Sequence, residues 1–221
     1  MPGTLTEPTF VHSCQQSAEW KAKYVRLWVP TSGVWGGAGS GIKQLISGDS
    51  ESIPGVTGST VKEEQRSYES SMLLAPTPQV WADFPLVRTP GRNFTASDYS
   101  DLFPLANFSD GFARWSLLSN LTSNLVAPGV NTTHLFGRNV ATPTAFSYDG
   151  VTATDFSKEP KTLTGDGDGT VPLLSLSASD SWGNSGSGWS YSSQAFDGLN
   201  HEGILRDAGY IKRVLAIVSL S

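Results

Sequence analysis

Gly165-Asp166-Gly167-Asp168-Gly169-Thr170-Val171-Pro172 and, nearer the C-terminus, Leu199-Asn200-His201-Glu202-Gly203 decide how this chain is read. The first stretch sets glycines around two aspartates, which lets a loop turn sharply at a strand end. The second puts a histidine on a loop just before a helical pattern. A buried Asp can accept from the Nδ1–H of a histidine. It thereby fixes the tautomer and stabilises the imidazolium formed when Nε2 takes a proton. Where a sheet carries nucleophile, acid and base, the acid can precede the histidine along the chain. Asp168 before His201 fits that order. Taken alone the pair is a weak signal, because an Asp/Gly turn and a loop histidine are common. His12 and His134 are the other histidines. The same aspartates could open a calcium loop, but the twelfth position of an EF-hand needs Glu, and here Ser177 stands there. An Asp-x-Asp-Gly-Thr phosphatase motif belongs after an apolar strand near a domain start. Here Lys158-Glu159-Pro160-Lys161 precede it, late in the chain.

Working outward, Val25–Val29 reads as a short strand ended by Pro30. The glycine-dense run from Ser32 to Gly41 marks a tight strand-to-helix connection. Ser17–Lys23 and Ile42–Ile46 read as helices, and Asp49 to Leu125 as an irregular, loop-rich insertion. Within it, Ser97–Phe103 is expected to be a short helix capped by Ser97, and Ser109–Leu118 another. The charged run Lys62-Glu63-Glu64-Gln65-Arg66 reads as a solvated face. Val130–Phe136 is expected as a strand ended by Gly137, with Thr142–Tyr148 a further strand. Ser177–Ser193 is Ser/Gly/Trp-rich and reads as loop or weak hairpin. Gly203–Ser219 has Ile204, Leu205, Ala208, Ile211, Leu215 and Val218 near a 3.6-residue period and reads as a C-terminal helix. Strands alternating with helices at both ends predict an α/β sheet.

The 221 residues suffice for a real core, and 38% of them are hydrophobic. A net charge of −5 with no basic stripe argues against a nucleic-acid partner. One cysteine, Cys14, excludes an internal disulfide and leaves the redox compartment open. Four N-x-Ser/Thr sequons, at Asn93, Asn107, Asn120 and Asn131, favour a secretory route, lysosome-like or extracellular. Met1–Phe10 has neither the basic nor the apolar region of a signal peptide. No apolar run is long enough to span a bilayer.

In order along the chain, Ser17-Ala18-Glu19-Trp20-Lys21, Trp35-Gly36-Gly37, Ser47-Gly48-Asp49, Lys62-Glu63-Glu64-Gln65-Arg66, Thr89-Pro90, Asn93-Phe94-Thr95, Ala127-Pro128-Gly129-Val130, Phe136-Gly137, Phe146-Ser147-Tyr148-Asp149, Gly167-Asp168-Gly169-Thr170-Val171 and Asn200-His201 resemble the lecithin:cholesterol acyltransferase family, which includes lysosomal phospholipase A. The similarity runs over about residues 15 to 218. It implies the C-terminal portion of an α/β-hydrolase fold with a loop-rich cap insertion. On that basis 1–48 would start a truncated core, 49–125 form the cap, and 126–221 carry the rest of the core. It also implies serine-dependent chemistry on acyl esters of phospholipids, with Asp168 as acid and His201 as base, and neither metal nor cofactor. The implied partner is a phospholipid or other acyl lipid, with a peripheral membrane or lipoprotein surface as a setting.

The sequence departs from the family at the nucleophile. A Gly-x-Ser-x-Gly elbow belongs a short way upstream of Gln15-Gln16, where this chain has Pro2-Gly3-Thr4-Leu5-Thr6-Glu7-Pro8. Thr4 lacks a preceding strand to present it, so no nucleophile is identified. The expectation is a truncated, catalytically silent chain, with a non-catalytic lipid-binding remnant as the alternative. Trp81, Phe84, Trp115 and Leu117-Leu118 could line a lipid surface, although core is the plainer role. A secreted glycan-binding module, suggested by Ser177–Ser193, would require an all-β chain.

Overall fold

A computed structural model describes residues 16–50, 53–122, 125–148, 156–184 and 188–220. It is mixed α/β, and its elements are numbered below in chain order. Thr4, His12 and Cys14 lie outside the described residues. Two compact units divide the chain. One comprises the described parts of Met1–Trp35, Leu125–Ala141 and Asp166–Ser221; the other comprises Gly36–Asn124 and Thr142–Gly165. The hairpin after Thr142, placed by the sequence with the C-terminal core, thus groups with the middle of the chain.

The first unit holds the helices α1 (Ala18–Tyr24) and α8 (Leu173–Leu176) and is built on parallel pairing. β3 (Thr132–Arg138) pairs in parallel with β6 (Tyr191–Asp197), with Leu135 opposite Gln194 and Gly137 opposite Phe196. On the other side of β3, single bridges join Trp28 to Thr132 and Thr31 to Leu135, also in parallel. The strand expected at Val25–Val29 is therefore reduced to two bridges and shifted towards Thr31. Gly137 does not end β3, because its backbone continues the ladder to Arg138. Thr132–Gly137 is buried throughout, as for a parallel strand covered on both faces. On one face Leu135 packs with Ile204, Tyr210, Val214 and Ile217. On the other Phe136 packs with Val171, Leu176, Val34 and Ala195.

Two further expectations are corrected in this unit. Two parts of Ser177–Ser193 are regular: Ser177–Asn184 is a 3-10 helix, and Tyr191 opens β6, while 188–190 is irregular. Its serines pair through the β3 backbone, a contribution that side-chain composition does not register. The C-terminal stretch opens as a 3-10 turn (Gly203–Arg206), and the α-helix itself, α9 (Ala208–Leu220), begins only after extended Asp207. Asp207 caps α9 by accepting from the Tyr210 N–H at 2.8 Å. The buried stripe is Tyr210, Val214 and Ile217, while Ile211, Leu215 and Val218 are exposed. Both stripes have helical spacing, so the period could not choose between them.

The second unit holds α2 (Gly39–Ile46), α3 (Gly58–Ser67), α4 (Glu69–Leu73), α5 (Pro78–Trp81), α6 (Tyr99–Leu105) and α7 (Gly111–Thr122). Its small sheet runs β2-β1-β4-β5, from β1 (Val87–Arg88), β2 (Asn93–Phe94), β4 (Thr142–Ser147) and β5 (Lys161–Gly165). The stretch from Asp49 to Leu125 is therefore more regular than its sequence suggests. Ile42, Leu45, Leu86, Phe94, Tyr99 and Phe103 make a continuous core there. Thr95, not Ser97, caps the turn into α6: its hydroxyl accepts from the Ser97 N–H, and Asp98 accepts from the Thr95 N–H. Arg66 leaves the solvated face of its charged run. It is buried, donates to the Leu45 and Ala106 carbonyls at 2.8 Å each, and lies over the Phe108 ring. Trp81 is buried with its Nε1–H on the Gly36 carbonyl, and Phe84, Trp115 and Leu118 pack against the same core, whereas Leu117 is 79% exposed. These residues are core, as the plainer reading had it, with Leu117 the exception.

Candidate active site

Asp168 lies fully buried in the turn after Asp166, where Gly169 takes a φ of +90° that L side chains rarely adopt. Its Oδ1 accepts from the Val171 N–H at 2.7 Å and the Thr170 N–H at 3.1 Å. Oδ2 is left for His201, whose Nδ1 is 2.8 Å away. The two residues are joined a second time through the backbone, since the His201 N–H donates to the Asp168 carbonyl at 2.7 Å. Asn200 secures the turn by accepting from the Gly203 N–H at 2.6 Å. A fully buried carboxylate facing Nδ1 makes Nδ1–H the favoured tautomer, which frees Nε2 as a lone pair. The His201 side chain is 20% exposed.

The loops meet because Gly137 has no side chain. A Cβ there would lie 1.9 Å from the Leu199 carbonyl oxygen and 3.4 Å from Asp168 Cβ. Gly137→Ala is therefore expected to push the Leu199–His201 backbone off β3 and break the Asp168–His201 bond. One-dimensional proton NMR checks this: the low-field imidazole N–H signal of His201 should vanish. Its persistence unchanged would show that the close approach is not required.

The other aspartate of the motif serves the scaffold. Asp166 Oδ1 accepts from the N–H of Asn139, which sits at φ +61°. One carboxylate is thus turned to Asn139 and the other to His201, so they do not converge on a calcium ion. No group of three or more His, Cys, Asp or Glu residues among the described residues could hold a metal.

His134, to which the sequence assigned no role, is fully buried on β3. Two donors approach its ring: the Gly33 N–H reaches Nε2 at 3.2 Å and Trp35 Nε1–H lies 3.4 Å from Nδ1. A neutral imidazole accepts at only one nitrogen. The shorter contact takes Nε2, so Nδ1 carries the proton and donates to Ser179 Oγ at 3.2 Å. Ser179 then donates to Tyr191 Oη at 2.8 Å, and Tyr191 to Asp180 at 3.1 Å. Burial lowers the His134 pKa to about 3, against a smaller opposing pull from Asp168. A lone histidine between Thr133 and Leu135 carried no signal that it would face two N–H donors.

Of the sequon asparagines, Asn93, Asn107 and Asn131 are exposed. Asn131 Oδ1 already accepts from the Ser190 N–H at 2.9 Å. No helix among the described residues is long and apolar enough to cross a membrane.

Comparison with known proteins gives the family of the chain. A sequence model of lecithin:cholesterol acyltransferase matches residues 3–122, more than half of the chain. The chain belongs to the lecithin:cholesterol acyltransferase family. It is 34% identical over 205 residues to the dog lysosomal phospholipase A and acyltransferase, covering 91% of this chain and 49% of that protein. It is likewise 34% identical over 204 residues to lecithin-cholesterol acyltransferase-like 1 of Arabidopsis thaliana, covering 91% and 45%. Against chicken phosphatidylcholine-sterol acyltransferase it is 32% identical over 171 residues, covering 77% and 41%. The chain spans about half the length of these curated relatives. The matched residues 3–122 exclude Asp168 and His201, so the family and the site rest on separate observations.

Proposed function

We propose that this protein works on acyl esters of phospholipids, transferring the acyl group to water, a sterol or another alcohol. Asp168 orients His201, and His201 Nε2 takes the proton of the attacking hydroxyl and returns it to the leaving alcohol. The carrying observation is the doubly tied pair: a fully buried carboxylate at 2.8 Å from Nδ1, with the backbone bond beside it. Hydrogen-bond reach is the first requirement of a general base and its orienting acid. The parallel strands Trp28–Thr31, β3 and β6 are taken as the C-terminal part of an α/β-hydrolase core, with Gly36–Asn124 as most of its cap. The names of the relatives supply the substrate class, a phospholipid ester. A secretory setting, lysosome-like or extracellular, accords with the exposed sequons.

The test is to mix the purified chain with phosphatidylcholine vesicles containing a long-chain alcohol and analyse the lipids. Lysophosphatidylcholine together with the acyl ester or free fatty acid, lost in His201→Ala, is the expected result. Vesicle retention without product would favour the lipid-binding remnant instead. Neither product nor retention would sink the lipid reading altogether.

A further inference from the structure

β3 and β6 end level, with Arg138 opposite Asp197. The residue after β3, Asn139, takes a φ of +61°. Its N–H donates to Asp166 Oδ1 at 2.6 Å, and its side-chain Nδ2 donates to Asp197 Oδ1 at 3.0 Å. An ionised carboxylate only accepts, so the atom turned to Asp197 is the amide nitrogen and not the amide oxygen. Both partners lead into the site. Asp166 opens the loop that carries Asp168. Val140 continues that attachment: its N–H donates to the Gly167 carbonyl at 3.0 Å, and it bridges Asp168 in parallel. Asp197 opens the segment that carries His201, and the Gly198 N–H donates to the Arg138 carbonyl at 2.8 Å. Asn139 therefore holds the aspartate loop by its backbone and the histidine loop by its side chain.

The residue type fits both tasks. A left-handed φ is open to Gly, Asn and Asp at little cost. Glycine would adopt it freely but brings no donor for Asp197. Aspartate would adopt it but would turn a carboxylate towards a carboxylate. Asn139, Asp166 and Asp197 are exposed, so these bonds add little to global stability. Their effect is local. The His201 N–H bond to the Asp168 carbonyl joins the two loops at one point, about which they can still turn. Asn139 adds a second point, at the roots of both loops. The 2.8 Å contact between Asp168 and His201 needs that alignment, because a slip of about 0.5 Å takes it out of ordinary hydrogen-bond range.

We propose that Asn139 is a positioning residue, which sets the histidine loop against the aspartate loop through its joint hold on Asp166 and Asp197. The proposal rests on the reading of Asp168 and His201 as acid and base. Asn139 touches neither of them. It acts by limiting how far the two loops can slide, so that Nδ1–H stays on Asp168. Asp197 is its partner on the histidine side, and Arg138 holds Asp197 in place from the last residue of β3, with its Nε 2.6 Å from the same oxygen.

The experiment follows the low-field Nδ1–H proton signal of His201 in the full chain, identified by its absence from His201→Ala, and measures how fast that proton exchanges with water. Asn139→Gly keeps the backbone conformation and loses the amide. Asp197→Ala loses the acceptor. Each should speed the exchange by about three- to tenfold, and the two together by no more than either alone. Asp197→Asn, whose amide oxygen can still accept from Asn139, should stay close to wild type. Asn139→Asp, which tolerates the same φ, should exchange at least as fast as Asn139→Gly. All variants should melt within about 4 °C of wild type, a result that separates positioning from a general loss of structure. An unchanged signal in Asn139→Gly overturns the proposal and leaves the acid–base pair standing. So do effects that multiply in the double variant, because the two residues would then act separately. Absence of the signal from wild type overturns the pair itself and the proposal with it.

Discussion

Asp168→Asn should lower ester turnover by about 10⁴-fold with the fold retained. The size follows from what the amide can and cannot replace. Its oxygen can still accept from the Val171 and Thr170 N–H groups, so the turn keeps its buried acceptor. Its NH₂ must then face His201 Nδ1, which accepts only when the imidazole proton moves to Nε2. The nitrogen facing the reactant becomes a donor and can no longer take a proton. Two measurements check this together. Lipid product should fall to the background, and the 15N shifts of His201 should report the exchanged tautomer. A variant with the exchanged tautomer and undiminished turnover would remove His201 from the mechanism. Asp168→Ala would be a poorer test, because it also leaves the buried Val171 N–H without that acceptor, at about 1–3 kcal/mol, and the part-buried Thr170 N–H with it.

The second large effect is on stability in acid, through His134. Its pKa is lowered to about 3 in the folded protein, chiefly by burial, against an ordinary value of 6.5. Below the ordinary value the unfolded chain binds a proton that the folded chain refuses. The contribution is therefore complete above about pH 6.5 and is lost progressively as the pH falls towards 3. The slope approaches about 1.4 kcal/mol per pH unit within that window. Burial dominates because a protonated ring would turn Nε2–H against the Gly33 N–H, leaving a like pair of donors with no acceptor. The charged groups in reach do not reverse this: Asp168 pulls upward but weakly, and Asp180 is separated by Ser179 and Tyr191. Urea titrations of wild type and His134→Phe between about pH 7 and 5 test the point. Wild type should lose of order 2 kcal/mol over that range, and the variant's stability should depend less on pH. Equal slopes would mean that His134 protonates in place. An acid compartment would draw on this margin, so the measurement also bears on the proposed lysosome-like setting.

The Asp168–His201 contact was legible because the chemistry proposed for it imposes a local pattern. An acid held in a glycine turn and a histidine before a helix both need particular residue types at particular places. The same holds for the helices at Ala18–Tyr24 and Gly39–Ile46, whose apolar spacing lies within a few residues, as does the Ser17 cap of the first. Ser177–Ser193 failed for the opposite reason. The strand at Tyr191–Asp197 owes its existence to β3, far away along the chain, and its serines announce nothing by themselves. The turn inward of Arg66 similarly depends on the carbonyls of Leu45 and Ala106, which no window around residue 66 contains.

The sequence by itself determined the family, the mixed α/β class and the identities of Asp168 and His201, because each is carried by residue types in order along the chain. The tertiary structure alone decided that these two side chains meet at 2.8 Å, which stripe of α9 is buried, and that His134 is pinned between Gly33 and Ser179. It alone also set Asn139 at positive φ between Asp166 and Asp197. Those facts depend on contacts between segments far apart in sequence, and a residue that ties two loops is defined only once both have been placed.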